Sequence, residues 1–171
     1  TGGNLFRTTC APHRADAHRL LSEADRWRDR LGSLPHPRLG LLIGGAVGWP
    51  RAARSTIAGL VEQVSSMARD AGGSLLVTTS RRTERWLAGL LESGIDVPSY
   101  CHRWSRQADN PYLAYLALCD GFVVTGDSIS MCSDACGTGR PVYIIAERGW
   151  TRPSHRRFHD VLFARGIARP F

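Results

Sequence analysis

The sequence predicts an α/β domain with a doubly wound parallel sheet of about five strands and helices on both faces. Helical and strand-like patterns alternate along the chain with short connections, and this alternation is typical of parallel sheets. Residues 39–43 form a continuous apolar run that ends in two glycines, as expected of a strand buried on both faces. The 171 residues suffice for one domain of this kind.

Each element follows from its local residue pattern. In the first helix, apolar residues recur every three or four positions, and Pro35 and Pro37 end it. Gly72 and Gly73 cap the second helix. Helices are predicted at about 14–31, 55–70, 84–93, 110–117, 128–137 and 154–165, and strands at 39–43, 74–79, 99–104, 121–125 and 142–146.

The charge distribution favours a small anionic ligand over nucleic acid. The net charge is +7 and all 22 basic residues are Arg. Absence of Lys is typical of codon bias in a GC-rich genome, while Arg also makes bidentate contacts with phosphate. These arginines are spread along the chain, whereas nucleic-acid-binding proteins concentrate basic charge beside aromatic platforms.

Cysteine usage and hydropathy predict a cytoplasmic protein. The five cysteines include no CxxC pair, which argues against a secreted disulfide framework. No apolar run approaches the roughly 18 residues that a membrane span needs, so any membrane association, for example with an inner membrane, is expected to be peripheral. The chain begins at Thr1 rather than Met, and we expect it to be a piece of a longer protein.

Ligands of open parallel sheets bind beyond the carboxyl ends of the strands, so the loops there are the candidate site. The first, 44–48, is glycine-rich and would expose backbone amides to a ligand, or it is an ordinary flexible turn. In the second, Thr79, Ser80 and Arg81 offer hydroxyl groups and a guanidinium to a phosphate or sugar. Alternatively, Ser80 or Thr83 caps the next helix.

The third loop, 125–134, is the most informative. A buried strand runs into Gly126, and a helix follows after several residues of the capping type. The helix N-terminus offers free amides and a partial positive charge, worth about 0.3–1 kcal/mol to an anion. Ser128 and Ser130 would add donors to a diphosphate, and Asp134 would accept bonds from ribose. Asp127 would repel phosphate, so we assign it to capping; an ordinary capped helix is the alternative.

The fourth loop, 104–110, either covers a base or is a surface connection, and the second interpretation is favoured.

Cys132 and Cys136 share a helix face, but their neighbours indicate a buried stripe rather than a metal site. The chain contains no GxSxG, HExxH or Walker A motif. Three histidines are possible bases, His13, His102 and His159, but their spacing does not identify a catalytic base.

Three blocks of the sequence resemble the mitochondrial-fission "elongated mitochondria" family of plants and bacteria. They are GGSLLVTTSRRT (72–83), NPYLAYLALCDGFVVTGDSISMCSDACGTGRPVYI (110–144) and FHDVLFARGIARPF (158–171). The opening TGGNLFRTTCAPHR and the RLGLLIGG strand are also similar to it, so the resemblance covers nearly the whole chain. Bacterial members of this family are labelled predicted nucleoside-diphosphate-sugar epimerases.

The resemblance implies a GT-B architecture, in which two Rossmann-like halves face each other across a cleft. Residues 15–171 would form the C-terminal, nucleotide-sugar-binding half, and residues 1–14 would enter from a missing N-terminal domain. The family pattern GDS-x-SM-x-SEA falls on 126–135, with Asp134 where Glu is usual and with Met131 at the pattern's Met. Cys119 and Cys136 replace residues that are often Ala, which indicates packing positions.

The leading hypothesis is a nucleotide-diphosphate-sugar-binding domain of a glycosyltransferase- or epimerase-like protein that requires no further cofactor and no metal. The alternative is a non-catalytic adaptor that binds a protein partner at a membrane or division site, and a dinucleotide oxidoreductase is disfavoured because no clean GxGxxG is present. The candidate ligand-binding residues are Gly44, Gly45, Thr79, Ser80, Arg81, Gly126, Asp127, Ser128, Ser130, Met131 and Asp134.

Overall fold

The computed structural model describes residues 3, 8–11, 16–45, 54–147 and 149–171. The helices are α1 (Ala17–Leu31), α2 (Arg54–Asp70), α3 (Arg85–Gly94), α4 (Tyr112–Leu118), α5 (Ile129–Gly137) and α6 (Pro153–Ala164). The strands are β1 (Arg38–Ile43), β2 (Ser74–Thr79), β3 (Ser99–His102), β4 (Gly121–Thr125), β5 (Val142–Ile145) and β6 (Arg169–Pro170).

The strands form one parallel sheet in the order β3-β2-β1-β4-β5-β6. β1 lies between β2 and β4, so the chain reverses its direction of travel across the sheet beside β1. This is the doubly wound arrangement that the sequence predicts. Ligands of such sheets bind at this reversal, beyond the carboxyl ends of the strands.

Two hydrophobic cores lie on opposite faces of the sheet, because successive side chains of a strand alternate in direction. In β1, Leu41 and Ile43 belong to the core under α2 and α3. Leu42 points into the other core, which is built with α1, α4, α5 and α6. Every residue of β1, β2 and β4 is buried, as predicted for two-sided strands.

The predicted strands differ from the structure by one residue at β1 and β5, and there are two larger differences. β3 ends at His102 rather than 104, because the Trp104 amide turns away and donates to the Thr79 hydroxyl at 2.9 Å. The sixth strand, Arg169–Pro170, is absent from the prediction. Both of its residues are exposed and it has no apolar run, so neither periodicity nor composition marks it.

The helix ends follow local capping chemistry. α1 begins at Ala17 because the Asp16 carboxylate accepts a bond from the Arg19 amide at 2.9 Å, which makes Asp16 the N-cap; residues 14 and 15 of the predicted helix lie outside the described residues. Gly72 closes α2 with φ of +64°, and its amide donates to the Arg69 carbonyl at 2.9 Å. The predicted glycine cap is confirmed.

Arg140 stabilises the C-terminal end of α4. Its guanidinium donates to the carbonyl oxygens of Leu116 at 3.2 Å and Ala117 at 2.8 Å, and also to that of Cys119. The last carbonyls of a helix have no partner within the helix. One cationic side chain therefore satisfies three carbonyl groups where the helix leads into β4.

Asp120 anchors the start of β1 to the start of β4. Its carboxylate accepts from the Arg38 amide at 2.7 Å and lies 2.7 Å from Nδ1 of His36. Desolvation acts to raise the pKa of Asp120, but the bonds from the Arg38 amide and His36 outweigh it and lower the pKa.

Part of the segment predicted to enter from another domain packs against α5 and α6. Within residues 8–11, the Ala11 amide donates to the Ser133 hydroxyl at 3.0 Å, and Arg165 donates to Thr9 at 2.5 Å. The rest of residues 1–14, apart from Gly3, lies outside the described residues. Of the helices that the structure describes, none combines the length and apolar character needed to cross a bilayer.

Candidate functional site

The loops that follow β2, β3 and β4 meet at the carboxyl edge of the sheet around an open cavity of about 280 Å³. The cavity lies where the strand order predicts a ligand. It is lined by Thr78, Thr79, Ser80, Arg81, Trp104, Asn110, Tyr112, Ser128, Ser130, Met131 and Asp134.

Seven of the predicted site residues line this cavity: Thr79, Ser80, Arg81, Ser128, Ser130, Met131 and Asp134. Gly44, Gly45, Gly126 and Asp127 do not. Thr78, Trp104, Asn110 and Tyr112 also line it and were not among the predicted residues. Thr78 directly precedes the predicted Thr79, and the other three lie in or just after the loop 104–110, which follows a strand at the same edge.

Asp134 is held in place by Tyr112. The Tyr112 hydroxyl donates to Oδ2 of Asp134 at 2.7 Å. Burial, together with the neighbouring Asp134 carboxylate, raises the pKa of Tyr112 far above its ordinary value, so the phenol stays protonated and remains a donor. One carboxylate oxygen is therefore fixed in direction at the wall of the cavity.

The N-terminus of α5 borders the same cavity. Ser128 is the N-cap, and its hydroxyl accepts from the Met131 amide at 3.4 Å. The assignment of Asp127 to capping is therefore wrong, because the chain takes its extended cap conformation one residue later. Ser130 lies exposed in the first turn, where amides have no carbonyl partner one turn earlier.

The loop after β2 is fastened to the end of β1. The Thr83 hydroxyl donates to the Gly44 carbonyl at 2.7 Å and accepts from the Ser80 amide at 2.9 Å. The alternative that Ser80 or Thr83 caps α3 is wrong, because its N-cap is Glu84, which makes no side-chain capping bond. This loop leaves Arg81 exposed at the cavity, and within the described parts of the chain Arg81 forms no ion pair.

The glycines after β1 leave room for charged side chains. The Gly44 amide donates to the Thr125 hydroxyl at 2.7 Å, so it is not a free donor. A Cβ on Gly44 would lie 2.5 Å from Oδ1 of Asp127, and one on Gly45 would lie 2.7 Å from Nε of Arg82. The expectation that this pair exposes amides to a ligand is therefore wrong for Gly44; residues 46–48 of the loop lie outside the described residues.

Gly126 also serves packing. Its amide donates to the Ile145 carbonyl at 2.8 Å, and a Cβ there would lie 2.6 Å from Cε1 of His159. His159 is 1% exposed. A larger residue would displace this buried ring, so the glycine after β4 is required by α6.

The two candidate histidines that the structure describes do not line the cavity. His102 ends β3 and His159 lies beneath Gly126; neither is among the lining residues, and burial lowers the pKa of both rings. His13 lies outside the described residues. Cys132 belongs to the hydrophobic core and Cys136 packs against it, which confirms their packing role, and the described residues contain no group of three or more potential metal ligands.

Two larger open grooves, of about 460 and 430 Å³, lie elsewhere. The first is next to Arg140 and Arg169 at the amino end of β5, and the second lies between α2 and Phe171. Neither contains a predicted site residue. The position of the smaller cavity at the reversal of strand order makes it the better candidate.

Comparison with solved structures agrees with the fold. The chain is similar to the MAR1 ribonuclease of Caenorhabditis elegans, with a TM-score of 0.52 and 10% identity over 80% of this chain and 77% of that one. It is also similar to TM1055, a structural-genomics target, with a TM-score of 0.50 and 16% identity over 78% and 90% of the two chains. At such identities the likeness shows the α/β fold alone.

Sequence comparison identifies relatives. The chain is 32% identical over 171 residues to the mitochondrial fission protein ELM1 of Arabidopsis thaliana, which covers 98% of this chain and 39% of that protein. It is 32% identical over 97 residues to the uncharacterized protein RP120 of Rickettsia prowazekii, covering 56% and 27%. The chain therefore spans well under half the length of these relatives. The sequence model of the family described as mitochondrial fission ELM1 matches residues 1–171, and the chain belongs to that family.

Proposed function

We propose that the cavity lined by Arg81, Ser130 and Asp134 binds a nucleoside-diphosphate sugar. The observation that carries this proposal is the set of groups that the cavity brings together: a guanidinium, a helix N-terminus with hydroxyl groups, a carboxylate and an indole. Each of these groups matches one part of such a ligand. The cavity also lies at the edge of the sheet where doubly wound folds bind nucleotides.

The diphosphate would lie between Arg81 and the N-terminus of α5. Arg81 is exposed and forms no ion pair with the described residues, so its donors are available to phosphate oxygens. The first turn of α5 adds backbone amides and a partial positive charge, and the Ser130 hydroxyl is exposed beside it. The Ser128 hydroxyl accepts the Met131 amide, and its own O–H can still donate to a phosphate oxygen.

The nucleoside would lie toward Asp134 and Trp104. One oxygen of Asp134 accepts from Tyr112 at 2.7 Å, and an ionised carboxylate has about four acceptor sites, so capacity remains for ribose hydroxyls. Trp104 is half-buried at the wall. An aromatic face of this kind stacks on bases of any identity, which agrees with a covering role for the loop 104–110.

The same proposal treats the domain as one half of a GT-B-like protein that transfers or epimerises a sugar. Its part in the chemistry would be to stabilise the charge of the departing diphosphate with preorganised donors. The sugar acceptor and any general base would belong to a second, N-terminal domain. The chain covers 39% of the Arabidopsis relative, which is therefore long enough to hold a second domain.

Calorimetric titration of UDP, GDP, ADP and TDP sugars into the protein tests this proposal. We expect saturable binding of one nucleotide class. Arg81→Ala should weaken it about tenfold or more, because bonds to charged groups contribute about 1.5–3 kcal/mol. Asp134→Asn keeps an acceptor for Tyr112. It should weaken the binding of nucleotide sugars and of free nucleosides by similar factors, because both carry the ribose.

Arg157→Ala is the matched control, because Arg157 is an exposed arginine on α6 that does not line the cavity. Binding that is insensitive to Arg81 and Asp134 would place the ligand elsewhere and refute the site. If no nucleotide sugar binds, and a protein partner is captured in stoichiometric amounts without nucleotide, the adaptor alternative replaces this proposal.

A further inference from the structure

A second, smaller cavity of about 110 Å³ lies at the same edge of the sheet, formed by the loops after β2, β4 and β5. It is lined by Arg82, Asp127, Trp150, Arg152 and His155. It shares no lining residue with the proposed nucleotide cavity. The loops nevertheless connect the two, since Arg81 and Ser128 line the first while their neighbours Arg82 and Asp127 line the second.

The end of β1 is shaped to admit the charged side chains of this cavity. A Cβ on Gly45 would come within 2.7 Å of Arg82, and one on Gly44 within 2.5 Å of the Asp127 carboxylate. Asp127 is 7% exposed. Both glycines therefore provide space that the cavity's own residues occupy.

The lining carries an excess of positive charge. Two guanidinium groups, of Arg82 and Arg152, oppose the single carboxylate of Asp127, and the imidazole ring of His155 lies beside them. The N-terminus of α6 lies at the same place and adds a partial positive charge. Its N-cap, Arg152, makes no side-chain capping bond, so no side-chain acceptor of the cap offsets that charge.

Polar atoms in and beside this cavity lack partners. Nδ1 of His155 is buried and has no hydrogen-bond partner among the described residues. The same is true of the hydroxyl of Thr151, a side chain that is 8% exposed and lies between Trp150 and Arg152 in the chain. Buried polar groups in folded proteins are normally satisfied by protein, water or ligand.

We infer that this second cavity binds a small oxyanion, a phosphate group, through Arg82, Arg152 and His155. Two guanidinium groups and a histidine are the donors that bind phosphate most directly. The cavity, of about 110 Å³, has room for a phosphate. The phosphate is either the free ion or the phosphate group of a larger ligand.

Titration of orthophosphate into the nucleotide-free protein, followed by calorimetry and by the ¹⁵N signals of the histidine rings, tests this inference. We expect saturable binding that shifts the His155 signals. Arg82→Ala and Arg152→Ala should each weaken it about ten- to hundredfold. Both arginines are exposed, so the variants should keep the wild-type circular dichroism spectrum, and Arg157→Ala is the matched control.

Asp127→Asn supplies a second test, since removing the single carboxylate of the lining should tighten phosphate binding severalfold. A tighter Kd for glucose 1-phosphate than for orthophosphate would identify a phosphate carried on a sugar, and equal values would identify the free ion. The inference is overturned if phosphate does not bind, or if Arg81→Ala weakens it and Arg82→Ala does not. Neither outcome depends on nucleotide-sugar binding, so this inference and the proposed function can fail separately.

Discussion

Replacing Gly126 by alanine should destabilise the fold through one identifiable contact. The added Cβ would lie 2.6 Å from Cε1 of His159 and 3.0 Å from the Ile145 carbonyl oxygen. The ring is 1% exposed and the carbonyl is bonded to the Gly126 amide, so neither can move away easily. Overpacking of this kind costs about 1–3 kcal/mol, and 2 kcal/mol would lower the Tm of a protein this size by roughly 4–8 °C.

Urea unfolding of Gly126→Ala, His159→Ala and the double variant isolates that contact. His159→Ala is itself destabilising because it empties a buried site, but it removes the ring that the new methyl group meets. The losses in unfolding free energy of the two single variants should therefore not add. We expect the double variant to be more stable than their sum predicts, by a coupling free energy of about 1 kcal/mol or more. Gly59→Ala is the matched control, because a Cβ there meets no atom within 4 Å. At this exposed position of α2, alanine should stabilise the helix by about 0.5–1 kcal/mol relative to glycine.

A Gly126→Ala variant with the wild-type midpoint would refute the packing argument, and so would penalties that add without coupling. Either result would favour the interpretation that Gly126 leaves space for a ligand rather than for α6.

Three further predictions concern stability and reactivity. Arg140→Met should lower the free energy of unfolding by about 1–3 kcal/mol in urea titrations, because three carbonyls at the end of α4 lose a charged donor. Asp120→Asn should destabilise the protein at pH 7. Because folding lowers the pKa of Asp120, its contribution is present above the unfolded value of about 3.9 and disappears as the pH falls through the lower folded value, so the difference between variant and wild type should shrink as the pH falls below about 3.9. Burial raises the pKa of the Cys119 and Cys132 thiols, so neither should react with a disulfide reagent at pH 8 until denaturant is added.

Each of these predictions has a result that contradicts it. An unchanged urea midpoint in Arg140→Met would show that water satisfies the α4 carbonyls equally well. A constant difference between Asp120→Asn and wild type from pH 7 to pH 2 would exclude the carboxylate charge as the cause. Fast modification of Cys132 in the native protein, located by mass spectrometry, would show that α5 opens readily.

The fold was predictable because its signals are local. The apolar run of β1, the amphipathic pattern of α1 and the glycines after α2 each specify an element through a few neighbouring residues. The strand Arg169–Pro170 was not predictable, since it owes its existence to pairing with β5 rather than to its own composition. The end of β3 was missed for a similar reason, because a single bond from the Trp104 amide to Thr79 redirects the chain.

The candidate site was predictable only in outline. Strand order places the carboxyl-edge loops together, and this was enough to anticipate Arg81, Ser128 and Asp134 as neighbours. It was not enough to say which way each side chain points. The roles of Gly44 and Gly126 depend on side chains distant in sequence, Asp127 and His159, and no spacing rule connects those pairs.

The hydrogen bond from the Thr83 hydroxyl to the Gly44 carbonyl limits which sequence changes this edge of the protein can accept. Point substitutions at Arg81 or Arg82 can alter one cavity and spare the other, so each can be tuned independently. An insertion or deletion between Ser80 and Thr83 cannot alter one cavity alone. It would break the hydrogen bond from Thr83 to Gly44 and reorient both guanidinium groups together. Among relatives, we therefore expect this loop to vary in its residues while keeping its length.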